Sequence, residues 1–120
     1  MPKPIALIIE DDPGLGEVFS LALRNEFETE INTDGDFALA RLAQVIPAVV
    51  VLDLHLPGTS GKGIFRHIQG DQRLTNTKII LCTADANEAE TLRNEVDIVL
   101  LKPVSPIQLR QLASRLYVAK

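Results

Sequence analysis

The chain has no tryptophan, one tyrosine and four phenylalanines among its 120 residues, so its core must be aliphatic. It has a single cysteine, which leaves no internal disulfide to form. Cys82 lies inside the apolar run Ile79-Ile80-Leu81-Cys82 and reads as a small core residue. Such usage is compatible with a reducing cytoplasm, the expected location. Positive charge is also scarce: 12 Lys and Arg stand against 16 Asp and Glu, a net charge of -4. That balance argues against the phosphate-tracking surface that dominates nucleic-acid affinity, so direct nucleic-acid binding by this segment is not expected. No apolar stretch reaches the roughly 18 residues of a membrane span. Met1-Pro2-Lys3-Pro4 leads straight into a strand without a signal-like region, so no membrane partner is expected.

The composition that remains, 46% hydrophobic and 23% charged, is that of a folded globular protein. One domain spanning residues 1–120 fits this length, which buries about two thirds of the unfolded surface. Short apolar runs alternate with amphipathic stretches five times, the pattern of a parallel sheet with helical crossovers. The expected strands are Ile5 to Ile9, Thr29 to Thr33, Ala48 to Leu52, Lys78 to Cys82 and Asp97 to Leu101. The second is polar and is placed at a sheet edge.

Leu15, Val18, Phe19, Ala22 and Leu23 have the spacing of one buried helical face, with Pro13 in the first turn. Asp34-Gly35 opens a second helix through Ala38, Leu39, Leu42 and Ala43, and a third carries Ile64, Phe65 and Ile68. The fourth, Asn87 to Glu95, has only Ala89 and Leu92 as an apolar stripe and is expected to be the mobile element. Ser105 caps the fifth, which is expected to bury Leu109, Leu112 and Leu116. Right-handed crossovers and an edge second strand favour a doubly wound α/β three-layer sandwich in strand order 2-1-3-4-5.

In such a sheet, ligands bind at the carboxyl ends of the strands. Asp53 ends the run Ala48 to Leu52 and is followed by a turn carrying Pro57-Gly58 and Gly61. The same edge receives Glu10-Asp11-Asp12 from strand one, Thr83-Ala84 from strand four and Lys102-Pro103 from strand five. Clustered carboxylates repel, and three or four oxygens with water suit a hard ion such as Mg²⁺. Lys102 supplies a cation for a phosphoryl oxygen and Thr83 a hydroxyl donor. The set matches phosphoryl transfer to a carboxylate, with Asp53 as the nucleophile.

Over essentially its whole length the chain resembles the receiver domain of two-component response regulators. Five motifs carry the resemblance: Ile8-Ile9-Glu10-Asp11-Asp12, Asp34-Gly35 with Ala38-Leu39, Val51-Leu52-Asp53 with Pro57-Gly58 and Gly61, Thr83-Ala84, and Leu101-Lys102-Pro103. The resemblance implies a flavodoxin-like (βα)5 fold and a signalling switch, not a turnover enzyme. By it, Asp53 accepts phosphate from a histidine kinase or phosphotransfer protein, and Thr83 and Lys102 bind the phosphoryl group. Glu10 and Asp11 form the acidic pair beside Asp53, and His55 lends Mg²⁺ its backbone carbonyl. The adjacent Asp12 leaves the choice of pair open by one position. A downstream effector or a further output domain reads the switch, and dimerisation through the last two helices is allowed.

One departure bears on output. The family usually has Tyr or Phe three residues before the lysine, a ring that swings inward on phosphorylation; here that position is Val99. This motivates an alternative, a receiver-like binding module that ignores phosphate. Glu95-Val96 replaces the Gly-Ala that commonly precedes strand five. His55 and Asp85 flank the approach of water to an acyl phosphate and are expected to tune its lifetime. His67, Arg110, Arg115 and Lys120 read as solvated. An aspartyl phosphatase of the haloacid-dehalogenase type would need an acid where His55 stands, and an acidic first loop would repel a flavin phosphate.

Overall fold

The computed structural model describes residues 2–117. Five strands alternate with five helices: β1 (Ile5–Ile9), α1 (Pro13–Leu23), β2 (Glu28–Asn32), α2 (Gly35–Leu42), β3 (Val49–Leu52), α3 (Gly61–Gly70), β4 (Lys78–Thr83), α4 (Ala86–Leu92), β5 (Ile98–Leu101) and α5 (Pro106–Leu116). All strand pairs are parallel and the order is β2-β1-β3-β4-β5, as expected from the crossover pattern. The polar strand is at an edge.

Period-2 alternation divides the sheet's side chains between two cores. Leu7, Ile9, Val50, Leu52, Ile79 and Leu81 face α2, α3 and α4. Ala6, Ile8, Val49, Val51, Ile80 and Cys82 face α1 and α5. Central strands buried on both faces explain the unbroken apolar runs. Each fully buried Phe, Leu or Ile contributes roughly 1.5–3 kcal/mol by leaving water.

Several details differ from the sequence reading. β2 begins and ends one residue earlier, β3 and β5 start one residue later, and β4 runs on through Thr83. The inward face of α1 is Gly16, Phe19, Ser20 and Leu23, whereas Val18 is 39% exposed. The helix comes close to β2: a Cβ on Gly16 would meet the Ile31 side chain at 3.0 Å, and Ser20 shares a 2.7 Å hydroxyl hydrogen bond with Thr29. That close approach selects small residues and rotates Val18 outward. Leu112 and Leu116 are half-buried, and Ala113 takes the inner position beside Leu109. α4 stops at Leu92, and residues 93–95 form turns. A 3-10 turn at Gln72–Leu74 adds an element the periodicity did not show. Lys120 lies outside the described residues.

Candidate functional site

Backbone hydrogen bonds that continue the ladders past the strand ends place the polar residues at one edge. Glu10 N–H donates to the Asn32 carbonyl at 3.0 Å, Asp53 N–H to Ile9 at 3.0 Å and Lys102 N–H to Thr83 at 2.9 Å. Each functional side chain therefore leaves a backbone already held by the sheet. The carboxylates of Glu10, Asp11 and Asp53 converge, each offering an oxygen within 4.8 Å of the others. Glu10 and Asp53 are buried while Asp11 is exposed at the rim.

Lys102 reaches into this cluster, its ammonium 2.8 Å from Glu10 Oε1 and 3.3 Å from Asp53 Oδ2. Burial works against the lysine's charge, but Glu10 and Asp53 outweigh it and hold its pKa above the ordinary lysine value. Burial pushes the Glu10 carboxyl above its ordinary range, against the pull of Lys102 and the Asp12 amide, and Asp53 adds to the rise. The Asp53 Oδ1 oxygen accepts from His55 N–H at 3.3 Å. Three carboxylates against one ammonium leave the site anionic.

The acidic triplet divides its labour. Asp12 caps α1, its Oδ1 accepting from Gly14 N–H at 2.9 Å and Leu15 N–H at 3.3 Å. A cap side chain so engaged is drawn to the helix N-terminus, and it is Asp11 that joins Glu10 and Asp53. Residue order alone left this choice open.

Thr83 is fully buried at the end of β4, and its Oγ1 accepts from Asp85 N–H at 3.1 Å. Asp85 in turn caps α4 through Asn87 N–H and Glu88 N–H. The His55 ring does not join the carboxylates: its Nε2 stands 3.6 Å from Glu88 Oε1. This partner on α4 was not visible in the sequence, because 33 positions separate the two residues and neither lies in a motif. His67, Arg110 and Arg115 are exposed. Cys82 is buried beside the site, and burial raises its thiol to about 12, so it is inert as a nucleophile there. Val99 is half-buried against the α2, α3 and α4 core, a small side chain at the centre of β5.

Buried carboxylates at the carboxyl edge of a 2-1-3-4-5 sheet, with a lysine between them, make a pattern that can be compared with known proteins. The family model of the response regulator receiver domain matches residues 6–114. The chain belongs to this family.

Among curated relatives, this receiver domain is 33% identical over 107 residues to the DNA-binding response regulator MtrA of Mycolicibacterium smegmatis, covering 86% of the chain and 46% of the relative. The chain thus spans about half the length of the curated relatives it matches first. Among solved structures, a sensor protein from Polaromonas sp. JS666 is 29% identical with a TM-score of 0.83, covering 95% of both chains. The chemotaxis response regulator CheY4 of Vibrio cholerae has a TM-score of 0.86 at 20% identity, covering 96% of this chain and 99% of that one, a likeness of fold. Receiver domains are phospho-accepting signalling switches and not turnover enzymes.

Receiver domains generally bind Mg²⁺ at an acidic pocket, and this donor set fits such an ion. The oxygens are hard, and two of the three carboxylates are buried. Glu10 Oε1, though held by charge near Lys102, is buried without an aligned hydrogen bond.

Proposed function

We propose that Asp53 is the phosphoacceptor of this receiver domain and that Glu10, Asp11 and Asp53, with the His55 backbone carbonyl, hold Mg²⁺. The observation that carries the reading is the Lys102 ammonium between two buried carboxylates, 3.3 Å from Asp53. An Asp53 oxygen attacks phosphorus, and the bond from phosphorus to the donor's imidazole nitrogen breaks with its electron pair leaving on the donor. The donor is a histidine kinase or a histidine phosphotransfer protein. Lys102 then pairs with a phosphoryl oxygen and the Thr83 hydroxyl donates to another. When bound, Mg²⁺ neutralises charge on the transferring oxygens. Water attack on phosphorus returns Asp53 and inorganic phosphate, so the domain times a signal in the cytoplasm and does not process a substrate pool.

The output is a downstream effector or a domain beyond this segment. The name of the MtrA relative describes a DNA-binding protein, and its length beyond the match leaves room for such an output. A second reading, a binding module indifferent to phosphate, is favoured by one observation: Val99 offers no ring to rotate.

Intact mass after incubation with acetyl phosphate and Mg²⁺ separates these. The expected result is one added phosphoryl group on the wild type and none on Asp53→Ala. No gain in the wild type transfers support to the phosphate-independent module.

A further inference from the structure

The loop from Leu54 to Ser60 carries the residues that follow Asp53, and three features hold it. Leu54 is buried in the core and Leu56 packs against it. At the α3 end, Gly61 N–H donates to the Leu54 carbonyl at 2.9 Å, and a Cβ on Gly61 would lie 2.1 Å from the carbonyl oxygen of Asp53 itself. The outer turn, Pro57 to Thr59, is tied to the first turn of α2. Gly35 N–H donates to the Pro57 carbonyl at 2.9 Å, and Asp36 Oδ1 accepts from both Thr59 N–H, at 3.1 Å, and Thr59 Oγ1–H, at 2.7 Å.

The turn and the helix fit only with glycine at both contact points. Gly58 has φ +73, and a Cβ there would stand 2.7 Å from Asp36 Oδ2. A Cβ on Gly35 would stand 1.7 Å from the Thr59 carbonyl oxygen. Backbone therefore meets backbone at Gly35, the Gly58 backbone lies against the Asp36 carboxylate, and that carboxylate accepts two hydrogen bonds across 23 positions of sequence. Two of the three hydrogen bonds on the outer turn end on Asp36.

We infer that Asp36 is a positioning residue for the phosphoacceptor loop: by clamping Thr59 to α2 it sets where the loop backbone at His55, and with it the Asp53 carboxylate, stands. The inference rests on Asp53 as the acceptor. A transfer site must hold its reacting groups within a fraction of an ångström, and small misplacement is costly even when the fold persists. Asp36 also lies in the first turn of α2, where a negative charge favours the helix dipole. The two roles separate chemically: Asp36→Asn keeps the accepting oxygen and loses the charge, whereas Asp36→Ala loses both.

The test has two readouts on the folded domain. With acetyl phosphate and Mg²⁺, Asp36→Ala takes up the phosphoryl group more slowly by on the order of tenfold, and Asp36→Asn restores a rate close to wild type. In metal-free protein, the amides of Thr59 and His55 exchange faster in Asp36→Ala than in Asp36→Asn; His55 has no hydrogen bond to Asp36, so its change reports transmission along the loop. Thr59→Val, which removes the shorter of the two hydrogen bonds, gives a smaller slowing in the same direction and carries the test if Asp36→Ala does not fold. A wild-type uptake rate in folded Asp36→Ala, or an unchanged His55 amide, overturns the inference. Uptake by Asp53→Ala, or none by the wild type, instead strikes the phosphoacceptor reading, and amide exchange without metal still decides the clamp.

Discussion

The loops that follow β3 and β4 both border the carboxylate cluster, yet they are held in opposite ways. The β3 loop is tied from outside, by α2 through Gly35 and Asp36, and at its end by Gly61 pressed on Asp53. The β4 loop is tied by its own neighbours: Thr83 accepts from Asp85 N–H, and Asp85 caps the short helix that it begins. α4 buries only Ala89 and Leu92. Its distant ties join exposed side chains: Arg66 to Glu95 at 2.9 Å, 49% and 38% exposed, and His55 Nε2 of the β3 loop to Glu88 Oε1 at 3.6 Å, 63% and 43% exposed. A loop braced from outside is held in place, whereas a locally capped helix with little buried surface opens at low cost.

Gly61→Ala would break the contrast most severely. Its methyl group has no room against Asp53 and Leu54, so the loop or α3 must shift, at roughly 3 kcal/mol. Urea unfolding should show the loss, and phosphoryl uptake should fall with it. Gly70→Ala is the control: a Cβ there meets nothing within 4 Å, and the expected change is neutral or stabilising by up to about 1 kcal/mol.

Asp85→Ala should loosen the β4 side alone. Loss of the α4 cap raises amide exchange at Asn87 and Glu88 by on the order of fivefold, with the amides of residues 58 and 59 unchanged. Faster exchange in both loops would show that they are one unit and erase the comparison.

The smallest effect concerns the anchorage of α2 itself. Arg41 donates to Glu30 on β2 at 2.6 and 2.8 Å, and this holds the Glu30 carboxyl below its usual 4.5. A carboxylate with a depressed folded pKa adds stability above the unfolded value and loses it as pH falls through the folded one. Glu30→Gln should therefore have a lower urea midpoint than wild type at pH 7, and the gap should close as pH falls below about 4.5. A gap that is the same at pH 3 as at pH 7 would mean that charge is not its source.

Asp53 was legible because a carboxylate that ends an unbroken apolar strand cannot be explained by packing, and Lys102 because it ends another. The central strands β1, β3 and β4 were legible for a related reason: burial on both faces removes polar residues, so each run announces its own limits to within a residue or so. The face of α1 was less so, since the 3.6-residue period fits Val18 as well as Ser20, and only the close approach of β2 chooses between them. Asp11 and Asp12 are chemically identical neighbours. Which one caps α1 and which one faces the cluster depends on the backbone turn between β1 and the helix.

By itself, then, the order of residues determined the alternation of strands and helices, the strand order that the crossovers permit, and the carboxylates and lysine delivered to one edge. Those are consequences of local periodicity and of the cost of burying charge. The tertiary structure alone decided which carboxylates meet, that His55 turns to Glu88, and that Asp36 clamps Thr59 across 23 positions. Such contacts join residues far apart in the chain, and their partners are set by the packing of helices on the sheet, which no local pattern encodes.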